Sequence, residues 1–230
     1  MSRNRMTTIA LAAAALLGSA TLMTMPALAQ TQAQAAIPAP AQTGNKAPDA
    51  LIKEVSTDVL DSLRADKSIK QGDVSKVIAL VDQKVMPYVD FQRMTSAAVG
   101  RYWRQATPEQ QKALQEQFKL LLVRTYSGAL AQVQDQTVDM KPMRSNPDDK
   151  EVVVRTEVKG RGDPIQLDYR LEQTANGWKI YDVNVLGVWL VEQYKNSFAT
   201  EIGQVGIDGL INKLAEKNKA PAAPAPASKS

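Results

Sequence analysis

The stretch KIYDVNVLGVWLVEQYKNSF, Lys179 to Phe198, changes its hydrophobic period halfway along. In its first half the apolar residues lie two apart, at Tyr181, Val183 and Val185, which predicts a strand. Beyond a glycine they lie three or four apart, which predicts a helix beginning at Val188. Both segments are apolar along one side, and no catalytic side chain lies at their junction. The pattern therefore favours a binding site over a catalytic site at this junction between strand and helix.

Upstream of this stretch, four amphipathic helices are predicted. The first spans Asp49 to Ala65, and Asp73 and Asp90 are placed to cap the second and third. Thr107-Pro108-Glu109-Gln110 forms a capping box with proline at the first helical position. The fourth helix begins there and is expected to run to about Val133.

Between these helices and the opening stretch the hydrophobic period is two. This alternation predicts strands around Val138–Met140, Val152–Val158 and Ile165–Leu171, and Asn176-Gly177 marks a hairpin before the last strand. Because polar and apolar residues alternate, the sheet is expected to be antiparallel with one solvated face.

The predicted order is four helices, four strands and two closing helices, the last two at roughly Val188–Ile202 and Ile207–Lys217. This order is typical of an α+β fold. We expect a curved four-stranded antiparallel sheet with helices on one face. The N-terminal helices and the two C-terminal helices are expected to enclose an apolar cavity.

The chain ends differ in composition from this domain. A positively charged start, an apolar segment rich in Ala and Leu, and Ala27-Leu28-Ala29 predict a secretory signal peptide over residues 1–29, cleaved after Ala29. Residues 30–46 are predicted to be a disordered leader, and residues 220–230 a disordered Ala/Pro tail. The ordered domain is expected to span residues 47–219 of an exported protein.

The composition excludes several classes of catalyst. The chain contains no Cys and no His, which removes Ser-His-Asp and Cys-His catalysis and the usual zinc sites. The net charge of +4 is small and partly due to the termini, so nothing in it indicates a nucleic-acid partner. Two alternatives to a binding protein stay open. One is an enzyme that uses Asp182 or Asp168 with Tyr169 as acid and base, and the other is an assembly factor with a filled core.

Several segments resemble the MlaC family, the toluene-tolerance type of periplasmic phospholipid carrier in bacteria with two membranes. The resemblance covers roughly Asp49 to Leu214, and its segments occur in family order. Trp189 departs from the family pattern, which usually has Ser at that position. The segments are Met86-Pro87-Tyr88-Val89-Asp90-Phe91, Gly100-Arg101-Tyr102-Trp103, Ala106-Thr107-Pro108-Glu109-Gln110, Tyr181-Asp182-Val183, Gly187-Val188 and Gly206-Ile207-Asp208-Gly209-Leu210.

The resemblance implies a nuclear-transport-factor-2-like sheet and a cavity for phospholipid acyl chains. It also implies a periplasmic shuttle that maintains outer-membrane lipid asymmetry as the soluble part of an ATP-driven (ABC-type) lipid transport system. Its partners would be an outer-membrane lipoprotein complex and the substrate-binding-domain ring of an inner-membrane transporter. Such a shuttle has no catalytic residue, no metal and no cofactor, only bound phospholipid as cargo.

The candidate residues of the acyl cavity are apolar and aromatic side chains on the predicted inner faces, although the same pattern is typical of ordinary core. On the last strand, Trp178 and Ile180 alternate onto the face opposite Val183 and Val185. Asp182 and Asn184 lie on that same opposite face, so Val183 and Val185 are favoured as the inner face. Trp189 would lie about 100° from the centre of the helix stripe, which predicts a place at the cavity rim. The candidates are Tyr88, Met94, Phe118, Leu122, Tyr126, Val154, Leu167, Tyr169, Val183, Val185, Val188, Val191 and Tyr194.

Overall fold

The computed structural model describes residues 46–146, 148–160 and 162–219. The predicted signal peptide, the C-terminal tail and all but the last residue of the leader lie outside the described residues. Within the described residues, five α-helices precede the sheet: α1 (Pro48–Ala65), α2 (Lys67–Lys70), α3 (Val74–Lys84), α4 (Phe91–Val99) and α5 (Pro108–Ala131).

The beginnings of these helices follow from their capping residues. The Asp73 carboxylate accepts two backbone N–H groups at the start of α3, and Asp90 accepts one at the start of α4. Thr107 and Gln110 form the reciprocal capping box that opens α5. These three predicted caps are confirmed. The short helix α2, capped by Asp66, was not predicted.

The sheet has five strands, not the predicted four. They are β1 (Thr137–Met140), β2 (Glu151–Lys159), β3 (Ile165–Thr174), β4 (Gly177–Val185) and β5 (Val188–Trp189), each antiparallel to the next in chain order. The α+β class and the antiparallel sheet are therefore confirmed. The nuclear-transport-factor-2-like detail stays a prediction.

The additional strand follows from a two-residue turn. Leu186 and Gly187 both have positive φ, 53° and 88°, and such pairs of residues join antiparallel strands in tight hairpins. Val188 then lies opposite Val185, and Trp189 lies in the same short strand. The prediction that a helix begins at Val188 is therefore wrong, because the turn returns the chain to the sheet edge before the helix starts.

The last helix, α6, spans Leu190–Lys219. Gly206 interrupts it with φ 74° and ψ 179°, a conformation outside the helical region. The two segments on either side of Gly206 correspond to the two predicted closing helices. No helix within residues 46–219 as described is both long and apolar enough to cross a bilayer.

Strand β4 contains a bulge at Tyr181. Asp182 lies opposite Arg170 and Ile180 lies opposite Leu171, which leaves Tyr181 as the extra residue. Side-chain alternation reverses at such a residue. Ile180 on one side of it and Val183 on the other therefore point to the same face of the sheet, the inner face, where α1 packs.

The bulge also settles which part of β4 faces inward. Trp178 precedes it on the same parity as the buried Ile180. Val185 follows it on the same parity as Val183. Asp182 and Asn184 consequently face outward. Either choice of a single parity for the whole strand is wrong, because each half of β4 contributes its apolar residues to the inner face.

Among residues 46–219 as described, the buried apolar side chains form three clusters. The helical cluster joins α4, α5 and α6 and includes Met94, Phe118 and Phe198. The sheet cluster joins α1 to β2, β3 and β4 and includes Ile52 and Leu171. A third cluster lies among α1, α2, α3 and α5.

Candidate functional site

The helical cluster and the sheet cluster meet along a seam. Val89, before α4, and Val183, on β4, pack against both clusters. Val89 is held beside β4 by a bridge to Ile180, and the N–H of Asp90 donates to the Ile180 carbonyl at 2.8 Å. The seam thus lies beside β4, within the stretch where the sequence changes its period.

The predicted cavity residues lie on both sides of this seam. Met94, Phe118, Leu122, Val191 and Tyr194 belong to or pack against the helical cluster. On the opposite side, a second set belongs to or packs against the sheet cluster: Tyr88, Val154, Tyr169 and Val183.

The remaining apolar candidates on the sheet continue the inner face towards one end. Leu167 lies opposite Val185, and Val185 lies opposite Val188. Because cross-strand partners share a face, these three side chains form a row on the side that Val183 occupies. The side chains of Leu167 and Val185 are partly exposed, and that of Val188 is exposed.

Three of the predicted candidates are tyrosines: Tyr169 packs against the sheet cluster, Tyr194 packs against the helical cluster, and Tyr126 interacts with Tyr194. Burial raises the pKa of Tyr169, and hydrogen bonds with Ser56 and Thr156 lower it. Burial is also the main cause that raises the pKa of Tyr126 and of Tyr194. Each of the three side chains nevertheless keeps part of its surface accessible. The three tyrosines are therefore largely, but not completely, shielded from bulk water.

Phe118 is the most enclosed of the predicted candidates. It has no exposed surface, and its ring centroid lies 5.7 Å from that of Phe91, 5.1 Å from that of Tyr194 and 5.2 Å from that of Phe198. Met94 and Val154 are also buried. Met94 and Phe118 are therefore part of the helical cluster and Val154 is part of the sheet cluster.

A pocket of about 210 Å³ is present elsewhere, between α1, α2 and α3. Its lining includes Asp66, Lys76 and Lys84 and none of the predicted cavity residues. It is smaller than the ~300–1,000 Å³ typical of small-molecule sites. This pocket is therefore separate from the predicted cavity residues and too small for a two-chain lipid.

The outer face of the sheet carries a polar network that sequence reasoning missed. Asp182 is 1% exposed, and its Oδ1 accepts the N–H of Val183 at 2.9 Å and that of Val191 at 3.1 Å. Arg170 Nη1 donates to Asp182 Oδ2 at 3.1 Å. Burial raises the pKa of Asp182, while the two N–H groups and Arg170 lower it. Asp182 thereby fixes the first turn of α6 to β4.

Trp189 lies on this outer face. It is opposite Asn184 in the register, and the guanidinium carbon of Arg170 lies 3.9 Å from the centroid of its ring. The helical geometry assumed for Trp189 is wrong, because the residue belongs to β5. Its position at a cavity rim stays a prediction.

Arg93 forms a second contact across the same face. Its guanidinium lies 2.6 Å from Glu151, makes an ion pair with Glu172 and stacks 3.7 Å from the centroid of the Tyr181 ring. These contacts tie α4 to β2, β3 and the bulge of β4. No local sequence signal links Arg93 to these residues. Glu151 lies 58 positions and Glu172 lies 79 positions further along the chain.

The acid–base set considered for an enzyme is not assembled. Tyr169 faces inward, whereas Asp168 and Asp182 lie on the outer parity of their strands. Asp168 accepts hydrogen bonds from the amide of Gln166, the nearer at 3.1 Å. Across the part of the chain that the structure describes, no three acidic side chains converge as metal ligands.

The comparison with protein families identifies the chain. Residues 53–216 match the sequence model of the family described as MlaC protein. The matched region contains the whole sheet, the seam and most of the helices around them. The chain belongs to the MlaC family.

Known relatives agree with this assignment. Over 181 residues the chain is 26% identical to the toluene tolerance protein ttg2D of Pseudomonas putida, covering 75% of this chain and 84% of that protein. Over 178 residues it is 23% identical to the intermembrane phospholipid transport system binding protein MlaC of Haemophilus influenzae, covering 76% and 83% of the two chains.

A solved structure shares both sequence and fold. It is the phospholipid-binding protein from Ralstonia solanacearum in complex with a phospholipid, at 1.53 Å resolution. The two chains are 50% identical with a TM-score of 0.72, over 74% of this chain and 96% of that one.

Proposed function

We propose that the protein is a periplasmic carrier that binds a phospholipid with its acyl chains along the seam. The observation that carries this proposal is the seam itself, where two separate apolar clusters meet through Val89 and Val183. The Ralstonia solanacearum structure, half identical and bound to a phospholipid, supports the same cargo.

The size of the energy barrier explains why such a carrier is needed. Exposing acyl chains to water costs about 0.8 kcal/mol per CH₂ group. A two-chain phospholipid has about thirty such groups, so bare transfer costs on the order of 20 kcal/mol. A carrier removes most of this cost by covering the chains with apolar side chains, which is what the two sides of the seam supply.

The partly exposed tyrosines support the placement of the chains. Tyr126, Tyr169 and Tyr194 are shielded from bulk water yet keep accessible surface, as side chains that border an interior space do. In this proposal they line the acyl cavity with Tyr88, Leu122, Leu167, Val183, Val185, Val188 and Val191, while Met94, Phe118 and Val154 form its floor. The lipid head group stays in solvent, so mixed head groups are accepted.

The proposed route follows the family. The signal peptide directs the chain to the periplasm and is cleaved after Ala29. The carrier exchanges lipid with an outer-membrane lipoprotein complex and with the substrate-binding-domain ring of an inner-membrane, ATP-driven transporter, and so maintains outer-membrane lipid asymmetry. The relative described as an intermembrane phospholipid transport system binding protein supports this route.

Native mass spectrometry of gently purified protein tests the proposal. We expect a mass increment of one phospholipid, or its equivalent in acyl chains, with several head groups in the extracted lipid. A protein that shows only its own mass, and that takes up no phospholipid from vesicles, contradicts the proposal and supports an assembly factor with a filled core.

A further inference from the structure

Exposed apolar side chains are concentrated at one end of the sheet. Among the described residues, four large hydrophobic side chains are exposed: Ile165 (39%), Leu186 (45%), Val188 (49%) and Val205 (47%). The first three lie at the end of the sheet where β3 begins and β4 turns into β5, and we call them the lip. Val205 lies in α6, next to the interruption at Gly206.

The lip is held in place by hydrogen bonds. The N–H of Leu186 donates to the carbonyl of Gln166 at 3.1 Å, which fixes the turn beside Ile165. The N–H of Gly187 donates to the side-chain oxygen of Asn184 at 2.8 Å. The exposed side chains therefore stand on a tight, tethered hairpin rather than on a long loop.

Leu186 is an unusual residue for its backbone conformation. Its φ of 53° lies in the left-handed region, which glycine, asparagine and aspartate adopt far more readily than leucine. Folding alone would favour one of those residues at a solvent-exposed turn. A leucine that is both strained and exposed is typical of a residue retained for contact with a ligand or partner.

Two of the three lip residues, Ile165 and Val188, continue the inner face of the sheet, and Leu186 lies in the turn beside them. Along β3 the inward residues run from Leu171, with no exposed surface, through Tyr169 and Leu167 to Ile165. Along β4 they run from the buried Ile180 to the partly exposed Val185, which lies beside the turn. The apolar surface that begins in the sheet cluster thus reaches solvent at the lip without changing face.

We propose that the lip is the surface over which phospholipid acyl chains pass on their way into and out of the seam. Its occupant is lipid hydrocarbon, because the lip is the exposed continuation of the face on which the acyl chains are placed. This inference rests on the proposed function. It assigns Leu186 and Ile165 to the exchange step and not to the final seat of the lipid.

The substitution Leu186→Asn tests the role of the leucine side chain without changing the backbone conformation of the turn. Asparagine adopts the left-handed region more readily than leucine, so the turn is retained while the hydrocarbon is removed. The matched control is Val205→Asn, which changes an equally exposed apolar residue away from the lip. Ile165→Asn with Leu186→Asn removes two of the three lip residues. Val188 is left unchanged because it is a predicted cavity residue.

The measurement is uptake of a fluorescent phospholipid from vesicles of phosphatidylethanolamine and phosphatidylglycerol, by the mature protein alone. We expect Leu186→Asn to lower the initial rate several-fold and the double variant to lower it about tenfold or more, on the scale of burying part of one or two aliphatic side chains. Val205→Asn should match the wild type. The final lipid occupancy, measured by native mass spectrometry, should be unchanged. The melting temperature should be unchanged or slightly raised.

Three results overturn the inference. The first is a wild-type rate in the double variant, and the second is a loss of final occupancy together with the rate, which would place the lip in the seat. The third comes from a separate assay of transfer to an added protein acceptor: loss of that transfer with unchanged uptake from vesicles would assign the lip to a protein partner. If the wild-type protein itself takes up no lipid, the proposed function is contradicted, and the lip inference is contradicted with it. Leu186→Gly, which also keeps the turn, repeats the test should the asparagine variant fold poorly.

Discussion

The guanidinium carbon of Arg170 lies 3.9 Å from the centroid of the Trp189 ring, and the same guanidinium donates to Asp182 at 3.1 Å. One arginine thus joins the two-residue strand β5 to the carboxylate that holds the first turn of α6. The outer face of the sheet fixes the position of α6, whose inner side borders the seam.

The first prediction concerns Trp189. Trp189→Ser removes the stacked ring, so we expect the free energy of unfolding to fall by about 1–3 kcal/mol, from lost burial and the lost cation–π contact. The rate of lipid transfer to acceptor vesicles should stay at the wild-type value. Urea unfolding and a vesicle assay measure the two quantities.

Arg170→Lys is the matched variant for this prediction, because it keeps the charge and loses the planar stacking surface. It should reproduce part of the loss in stability. Faster lipid release from Trp189→Ser with unchanged stability would instead support the rim position predicted from the sequence.

The second prediction concerns Val188 and the acyl cavity. Val188→Glu places a carboxylate beside the proposed path of the chains, where it is costly unless it is protonated or hydrated. We expect the fold to be retained, because the side chain is exposed, and lipid loading to be lost. Circular dichroism melts and native mass spectrometry measure these.

Val205→Glu serves as the control, since Val205 is equally exposed but lies away from the sheet. It should load lipid normally. Normal loading by Val188→Glu would remove this residue from the cavity, and unfolding would show that it is ordinary core.

The third prediction concerns pH. Because burial raises the folded-state pKa of Asp182, its contribution to stability is present below the unfolded-state pKa of about 3.9 and is lost as the pH rises through the folded-state pKa. Asp182→Asn does not ionise. The free energy of unfolding of the wild type minus that of Asp182→Asn should therefore be larger at about pH 4 than at about pH 8.

Urea unfolding at the two pH values measures this difference. A difference that grows with pH would mean that Arg170 and the N–H groups of Val183 and Val191 outweigh burial and favour the carboxylate. Arg170→Met, which removes the positive partner, should then abolish the growth.

The fourth prediction separates the floor of the site from its lining. Phe118→Ala should lower the free energy of unfolding by about 3–5 kcal/mol, because the side chain is fully buried among three aromatic rings. Leu122→Ala, on the same helix but partly exposed, should cost less and reduce lipid retention more. Equal loss of stability in both variants would contradict this division.

The helical part of the fold was accessible from the sequence because its signals are local. Asp73, Asp90 and Thr107 cap helices through backbone N–H groups two or three residues away. The starts of α3, α4 and α5 can therefore be predicted from short segments of sequence. The alternation in β2, β3 and β4 is local in the same sense. These elements were predicted correctly in type and order.

Strand β5 was missed because Val188 fits both the helical period and the strand period. Val188 lies three residues before Val191 and so extends the helix stripe backwards, although it pairs with Val185 in the sheet. The positive φ of Leu186 decides between the two structures, and leucine gives no sign of that conformation. A glycine or asparagine at position 186 would have signalled the turn.

The seam could be predicted only as a set of apolar residues, because core and lining have the same composition. The contacts that divide them are distant in sequence, as between Val89 and Val183. The outer-face network of Arg93, Arg170 and Asp182 was missed for the same reason. Ion pairs across a sheet depend on register, which the bulge at Tyr181 shifts.

The bulge at Tyr181 also restricts how the gene can change. A substitution at Tyr181 keeps the length of β4, and each half of the strand keeps its own alternation. A deletion of this one codon would leave Ile180, Asp182 and Val183 consecutive, so regular alternation would keep Ile180 and Val183 on the inner face and Asp182 on the outer face. A deletion of Asn184, by contrast, would turn Val185 to the outer face, so single-residue deletions in β4 should be tolerated at the bulge and excluded beyond it during the divergence of this chain.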